Sequence, residues 1–230
     1  MKRIFQTLSQ KWPEYLLEIL VITIGILGAF ALNNWNENVQ QKKETAKIYE
    51  LIENDLEFTI GEMENIIADY DTSLNYMRAL ITQSVSKEKI SSNRKYISSL
   101  TGFDDLRIKK RGLKLLENSI ALDIDSNDSL SNAISNFYSE KSDEVEVEVE
   151  GLKIVFLDFF EFISAQDWFL DLMSGKGLEG FADDVAENKM LQKKILYYAL
   201  ALDAHRSQLA DFRDGGKKIL EEINKHQREN

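Results

Sequence analysis

Two histidines and one glycine-rich stretch are the residues of this chain whose types suggest chemistry. His205 and His226 lie 21 positions apart in one helical pattern, too far to share a metal ion on one helix. Because an imidazole titrates near neutral pH, His205 is a candidate pH switch in an otherwise apolar seam; a hydrogen-bonded core histidine is the alternative. The stretch GKGLEG, residues 175–180, matches G-x-G-x-x-G but follows the helical DWFLDLM rather than a strand. It therefore predicts a turn between two helices, not a dinucleotide site.

The composition argues against several other kinds of site. The chain has 230 residues and no cysteine, so it has no thiolate nucleophile or thiolate metal ligand. It contains no Ser/His/Asp set, no H-E-x-x-H motif and no phosphate loop, and we expect no enzyme activity, no metal and no cofactor. Acidic side chains outnumber basic ones by 39 to 28. This acidity argues against a nucleic-acid partner, whose phosphates require a basic surface.

An apolar stretch near the N-terminus has the composition of a membrane-spanning helix. Residues 15–32 are apolar, glycine or alanine, apart from one threonine and Glu18, and their number meets the lower limit of about 17–25 residues for a spanning helix. Trp12 and Trp35 flank the stretch, as expected of side chains that favour the lipid headgroups.

These features divide the chain into three parts. We predict a basic amphipathic leader over residues 1–13, a transmembrane helix over residues 14–36 in contact with the lipid bilayer, and an acidic helical-bundle domain over residues 37–230. A cleavable export signal is the alternative interpretation, since a basic start and small residues up to Ala31 are typical of one. Cleavage after Ala31 would release a secreted helical protein. Glu18 inside the apolar stretch, and a helical pattern that continues past Ala31, favour a retained anchor.

One face of the predicted span carries small and polar residues. Glu18, Gly25, Ala29 and Asn33 follow steps of seven, four and four, so they share a side of the helix. Small residues allow close approach of a second helix, and polar side chains in lipid seek partners across helices, so we predict a homo-oligomer. A lone helix whose Glu18 reaches water is the alternative. An acid within a span also raises the hypothesis of signal transduction or ion or proton conduction.

The end of the span resembles a known family. The stretch GILGAFALNNWNE ends in Asn33, Trp35 and Glu37, and it is similar to the Asn-x-Trp-x-Glu ending of an uncharacterised family of small single-pass membrane proteins from Gram-negative bacteria. A second stretch, residues 117–140, is similar to a recurring segment of that family. Leu17 departs from the pattern, which often has glycine before the glutamate. The resemblance implies an anchor that stays in the inner membrane, and it supplies no activity for the chain.

Charge gives a weaker indication of orientation. Three lysines or arginines precede the span and three follow it within 15 residues, so the count that governs topology is a tie. The short leader favours an N-terminus in the cytoplasm. The bulk of the chain would then lie in the periplasm.

Helical periodicity dominates the remaining residues. Apolar side chains recur by threes and fours over residues 49–81, and alternate four and three over residues 191–226, as in bundle seams. Residues 84–105 predict a loop with one short helix. Residues 106–125 predict a further helix, with Asp125 or Ser126 as the N-cap of the next.

The helix after that N-cap contains two unusual stretches. DEVEVEVE, residues 143–150, alternates like a strand, but no partner strand is predicted, so we expect a weak or bent helix. LKIVFLDFFEFI, residues 152–163, predicts a buried helix. A basic cluster predicts surface charge, and contact with lipid headgroups or with the acidic face of a neighbour is the alternative; its members are Arg107, Lys109, Lys110, Arg111 and Lys114.

The sequence thus predicts an all-α protein in which one N-terminal transmembrane helix is continuous with a long helix of an antiparallel helical bundle. We expect a membrane-anchored, self-associating scaffold or interaction module.

Overall fold

The computed structural model describes the backbone of residues 2–121 and 129–229, and the side chains of residue 12 and of residues 16–119 and 129–229. Within this part of the chain the only regular structure is helix. The helices are α1 (Lys2–Ile81), α2 (Lys87–Ser92), α3 (Lys95–Ser98), α4 (Arg111–Ala121), α5 (Ser129–Ser164), α6 (Asp167–Met173), α7 (Glu179–Glu187) and α8 (Lys189–Glu229). The predicted N-caps Asp125 and Ser126 lie outside the described residues. The chain forms two compact units, Met1–Ile48 and Tyr49–Asn230.

The first unit is the N-terminal part of α1. The helix continues without interruption from Lys2 to Ile81, so the predicted continuity between the apolar stretch and a long bundle helix is confirmed. The only proline of the chain, Pro13, lies within α1 near its N-terminal end. The lack of proline after residue 13 is consistent with helices of this length, because proline disrupts helix interiors.

Three long helices form the second unit: residues 49–81 of α1, α5 and α8. Helix α8 is antiparallel to α1, since Glu64 pairs with Lys217 and Asp71 with Arg206. It is also antiparallel to α5, whose first half contacts the second half of α8 and whose second half contacts the first half. The ring pairs that fix this register are Phe137–Phe212 and Phe159–Tyr198.

Helices α1 and α5 consequently run in the same direction. Tyr49 Oη lies 2.9 Å from Ser131 Oγ, near the start of the bundle part of α1 and the start of α5. A parallel pair requires the intervening chain to return to the end from which it started. The chain makes this return after α2 and α3. Residues 101–112 of it are called the return segment below.

The return segment corrects one prediction. A helix was expected over residues 106–125, but it begins only at Arg111. Residues before it are held by α1 instead: the backbone N–H of Asp104 donates to Tyr70 Oη at 2.9 Å, and that of Lys109 to Thr59 Oγ1 at 3.4 Å. The loop expected over residues 84–105 contains two short helices, α2 and α3.

The seams are confirmed and one burial prediction is wrong. The expected core positions from Leu191 to Ile223 of α8 are buried. Residues 143–150 are helical, as predicted, and α5 continues through them without the expected weak point. Residues 152–163 are not buried all round, because Ile154 is 69% exposed and Leu157 56%. Apolar composition on every side therefore does not mean that a neighbour covers every side.

Candidate functional site

The apolar stretch of α1 presents its side chains outward. All eleven of its large aliphatic and aromatic side chains between Leu16 and Leu32 are 49–67% exposed. Trp12 and Trp35, the predicted membrane-interface residues, are exposed as well. By length and composition this is the one helix among the described residues that could cross a membrane. Within its own unit, no described residue covers the apolar surface.

The predicted association face lies on this exposed surface. Glu18, Gly25, Ala29 and Asn33 are all exposed, and a Cβ added at Gly25 would meet no atom within 4 Å. Asn33 Nδ2 donates to Glu37 Oε1 at 2.7 Å. Two residues of the Asn-x-Trp-x-Glu stretch therefore pair along the helix, one turn apart, which reduces the number of free polar groups on Asn33.

Inside the second unit, the side chain of Asp55 on α1 forms the most connected polar site. It is fully buried. Its Oδ2 accepts from the backbone N–H groups of Arg111 (2.9 Å) and Gly112 (3.0 Å). Its Oδ1 accepts from Arg111 Nε (3.1 Å) and Nη2 (2.7 Å). Asp55 belongs to another helix, yet its carboxylate accepts the backbone N–H groups at the first turn of α4, as the side chain of a local N-cap residue would.

Close packing at this site depends on a glycine. A Cβ on Gly112 would lie 2.5–2.9 Å from the side chain and backbone of Ile52, so the first turn of α4 could not lie so near α1 with any larger residue. One turn further along α1, Thr59 Oγ1 donates to the Asp55 carbonyl at 2.7 Å and accepts from the backbone N–H of Lys109, in the return segment, at 3.4 Å. The return segment is therefore attached to α1 at successive turns.

The basic cluster has more specific contacts than surface charge. Arg111 pairs with Asp55, Lys110 Nζ lies 2.8 Å from Glu146 Oε1, and Lys109 Nζ lies 3.0 Å from the centre of the Phe58 ring. Sequence reasoning missed Asp55 and therefore the role of Arg111. The available signal was an acid at a position that the apolar periodicity places on the buried side of α1.

His205, the candidate switch, lies in the core of the same unit. It is 1% exposed, and neither ring nitrogen has a hydrogen-bond partner among the described residues. Its ring centre is 5.9 Å from that of Tyr70. Burial lowers the pKa of His205 to about 4, and the nearby carboxylate of Asp105 opposes this only in part. The imidazole is therefore neutral near pH 7.

Two tyrosines fasten the return segment, and one of them, Tyr70, lies beside His205. Tyr70 Oη contacts the backbone of Asp104, and Tyr198 Oη donates to the carbonyl of Gly102 at 2.7 Å. Burial raises the pKa of both phenols and also that of the Asp104 carboxyl. His226, by contrast, is only half-buried, with its ring edge against Tyr49 at 5.4 Å.

The remaining features are a turn between two helices and a groove on the surface. The GKGLEG stretch connects α6 to α7, as predicted, and Gly175 takes φ +76° in that turn. No group of three or more metal-ligating side chains occurs among the described residues. A shallow acidic groove between α5 and α8 is lined by Ser139, Glu140, Asp143, Glu144, Val147, Glu148 and Gln208.

Comparison with known proteins adds no relative. The chain matches no family model, and no curated protein or solved structure is significantly similar to it. The resemblance of residues 25–37 to the single-pass family therefore remains a prediction.

Proposed function

We propose that this protein is a single-pass membrane protein whose helical bundle acts as a scaffold or interaction module. In this proposal the span is retained in a bacterial inner membrane. The N-terminus lies in the cytoplasm and the acidic bundle in the periplasm. Copies associate through the face formed by Glu18, Gly25, Ala29 and Asn33.

The exposed apolar surface of α1 is the observation that supports this proposal. Burial of an exposed aliphatic side chain is favourable by about 1.5–3 kcal/mol. Over residues 16–32, eleven large apolar side chains are 49–67% exposed. Such a surface is unfavourable in water. A bilayer covers it on all sides and leaves no backbone group unpaired, since the helix satisfies its own.

Insertion is tested by vesicle flotation after an alkaline carbonate wash. The full chain should float with lipid vesicles, whereas the variant with Ile19→Asn, Ile22→Asn and Ile26→Asn should not. The matched control carries Leu170→Asn, Met173→Asn and Met190→Asn, three exposed apolar positions of the bundle, and should still float. Intact mass of the native protein, isolated from the membrane fraction and from the soluble fraction, tests retention. A chain that begins at Leu32 would establish cleavage and contradict the anchor.

Self-association is tested by measuring the mass of the detergent-solubilised particle. Gly25→Leu with Ala29→Leu should separate the oligomer, because the larger side chains prevent close helix approach. Gly28→Leu with Ala31→Leu adds the same bulk on another side of the helix and should leave the mass unchanged. Equal masses for both double variants would contradict the proposed face.

A second candidate function follows from Glu18, an acid on the exposed surface of the apolar stretch. Ionisable residues in spans often mark ion or proton pathways. Under this hypothesis Glu18→Gln abolishes ion or proton flux across vesicles that contain the protein. Under the scaffold proposal the same variant leaves both the mass of the particle and the permeability of the vesicles unchanged.

A further inference from the structure

The first half of the return segment has no helical structure of its own. Residues 101–106, called the strap below, lie between α3 and α4, and four of the six are exposed. Two tyrosines join the strap to the long helices. Tyr70 Oη of α1 bonds the backbone of Asp104, at 2.9 Å to its N–H and 3.2 Å to its carbonyl, and Tyr198 Oη of α8 donates to the carbonyl of Gly102 at 2.7 Å. An exposed irregular segment held in this way opens at a lower free energy than the core helices.

His205 is buried close to these two attachments. It follows Tyr198 by seven residues and so shares a face of α8 with it, and its ring centre is 5.9 Å from that of Tyr70. The imidazole is 1% exposed, and no described residue bonds to either of its nitrogens. A proton added to this ring would create a buried cation whose two N–H groups have no acceptor, and such a charge is costly to keep from water.

The charged groups around His205 leave that cation uncompensated. The Asp105 carboxylate favours the protonated ring, but its effect is smaller than that of burial. Arg206, the next residue of α8, pairs with acids on α1 and α8. The titratable and charged groups on the elements packed around His205 are Asp69, Tyr70 and Asp71 of α1, Asp104 and Asp105 of the strap, Glu148 of α5, and Asp203 and Arg206 of α8.

We propose that protonation of His205 releases the strap from the two tyrosines and leaves the Asp55 site closed. Release admits water to the imidazolium, and it requires no separation of the long helices. It also parts the rings of Phe103 and Phe156, whose centres are 5.3 Å apart, and so uncovers aromatic surface on α5. Every group involved belongs to the second unit, and the inference therefore does not depend on the membrane anchor.

Proton linkage gives the direction and the size of the effect. Burial lowers the pKa of His205 to about 4 in the closed form, whereas a hydrated imidazole has a pKa of about 6.5. The released form therefore binds more protons between these two values, and release becomes more favourable as the pH falls. From pH 7.5 to pH 5.0 the ratio of released to closed chains should rise about 30-fold.

The carboxyl group of Asp104 titrates in the opposite sense. Burial and the nearby Asp69 raise its pKa in the closed form, so its protonation favours the closed strap as the pH falls. Asp104→Asn removes this titration and keeps the backbone N–H that bonds to Tyr70. The variant should therefore show at least as large a rise in release as the unchanged chain.

The test is amide hydrogen exchange of the full chain in nanodiscs, resolved at single residues by mass spectrometry and divided by the intrinsic rate at each pH. Protection of the Asp104 amide should fall about 30-fold from pH 7.5 to pH 5.0. Its exchange at pH 5.0 should not change in about 1 M urea, because local opening exposes little surface. The amide of Leu209 in the buried seam of α8 is the reference for global unfolding and should exchange faster in urea.

Two histidine variants assign the effect. His205→Leu should remove the fall in protection at Asp104, to within about threefold. His226→Leu changes a half-buried histidine of the same helix and should keep the full fall. An undiminished fall in His205→Leu would overturn the inference, as would full protection of the unchanged chain at pH 5.0. The same urea dependence at Asp104 and Leu209 would overturn it too, because the strap would then open only when the whole bundle unfolds.

Discussion

Asp55 and His205 are both buried in the same bundle, at 0% and 1% exposure, and their surroundings are opposite. Four hydrogen bonds reach the carboxylate of Asp55. No described group bonds to either nitrogen of His205. A charge removed from water needs such partners, whereas a neutral imidazole needs fewer, and the two sites show both solutions within one core.

The difference concerns what each side chain does for the fold. Asp55 attaches the return segment to α1 directly, through backbone N–H groups and one arginine. His205 only fills space next to Tyr70, and Tyr70 makes the attachment through Asp104. Loss of the Asp55 contacts should therefore be costly near neutral pH, whereas the effect of His205 should appear on acidification.

The largest expected effect is that of Asp55→Ala. The substitution leaves two backbone N–H groups without their acceptor, at a cost of about 1–3 kcal/mol for each buried group, and it also removes the partner of the largely exposed Arg111 side chain. In detergent micelles the melting temperature should fall by roughly 10 °C, given about 2–4 °C per kcal/mol for a domain of this size. Glu57→Ala, at an exposed neighbouring acid of α1, is the control and should change it by less than about 2 °C.

The second effect is a loss of stability on acidification through His205. Its pKa is about 4 in the folded chain and about 6.5 when unfolded, so the unfolded state binds more protons between these values. The stability that His205 contributes is full above pH 6.5 and is lost as the pH falls toward 4. Each pK unit between the folded and unfolded values corresponds to about 1.36 kcal/mol, so the free energy of unfolding falls by about 3 kcal/mol in total.

His205→Leu isolates this contribution from that of the carboxylates. The variant should keep the stability of the native chain at pH 7.5 within about 1 kcal/mol, because leucine replaces the ring without an unsatisfied polar group. The difference between the two urea unfolding curves should grow in favour of the variant from pH 6.5 to pH 4. Parallel pH dependences for the two chains would rule out His205 as the cause.

Gly112→Ala tests the close packing of α4 on α1 that the hydrogen bonds to Asp55 require. A methyl group here would overlap the backbone of Ile52, so the first turn of α4 must move away from α1 and lengthen the hydrogen bonds to Asp55. Overpacking of this kind costs about 1–3 kcal/mol. Gly61→Ala, where an added Cβ meets nothing within 4 Å, is the matched helical control and should be neutral or slightly stabilising. A neutral Gly112→Ala would mean that α4 can shift freely.

The long helices could be predicted from the sequence because their apolar periodicity and their burial coincide. The seam of α8 and the apolar positions of α1 from Tyr49 onward follow three-four spacing and are largely buried. The strand-like DEVEVEVE stretch was also assigned correctly, since a strand without a partner leaves its backbone groups unpaired. In each of these cases the local pattern and the global packing agree.

The return segment could not be predicted, because its conformation is set by distant residues. The stretch LRIKKRGLKLL, residues 106–116, has no local signal that would prevent a helix from beginning before Arg111. The contacts that determine where α4 begins come from Asp55 and Thr59, about fifty residues earlier. The exposed side of α5 was missed for a similar reason, as apolar composition alone does not say whether a neighbour exists. For His205, the periodicity gave its burial but not its lack of partners.

The smallest expected effect is that of Arg111→Met, and it shows which donors matter to Asp55. The arginine side chain is 68% exposed, and solvent screening weakens ion pairs of this kind. Methionine retains much of the aliphatic contact of the arginine, and the backbone N–H groups of residues 111 and 112 still bind Oδ2. We therefore expect a loss of only about 1 kcal/mol by urea unfolding. A loss as large as that of Asp55→Ala would show instead that the guanidinium, rather than the first turn of α4, holds the buried carboxylate in place.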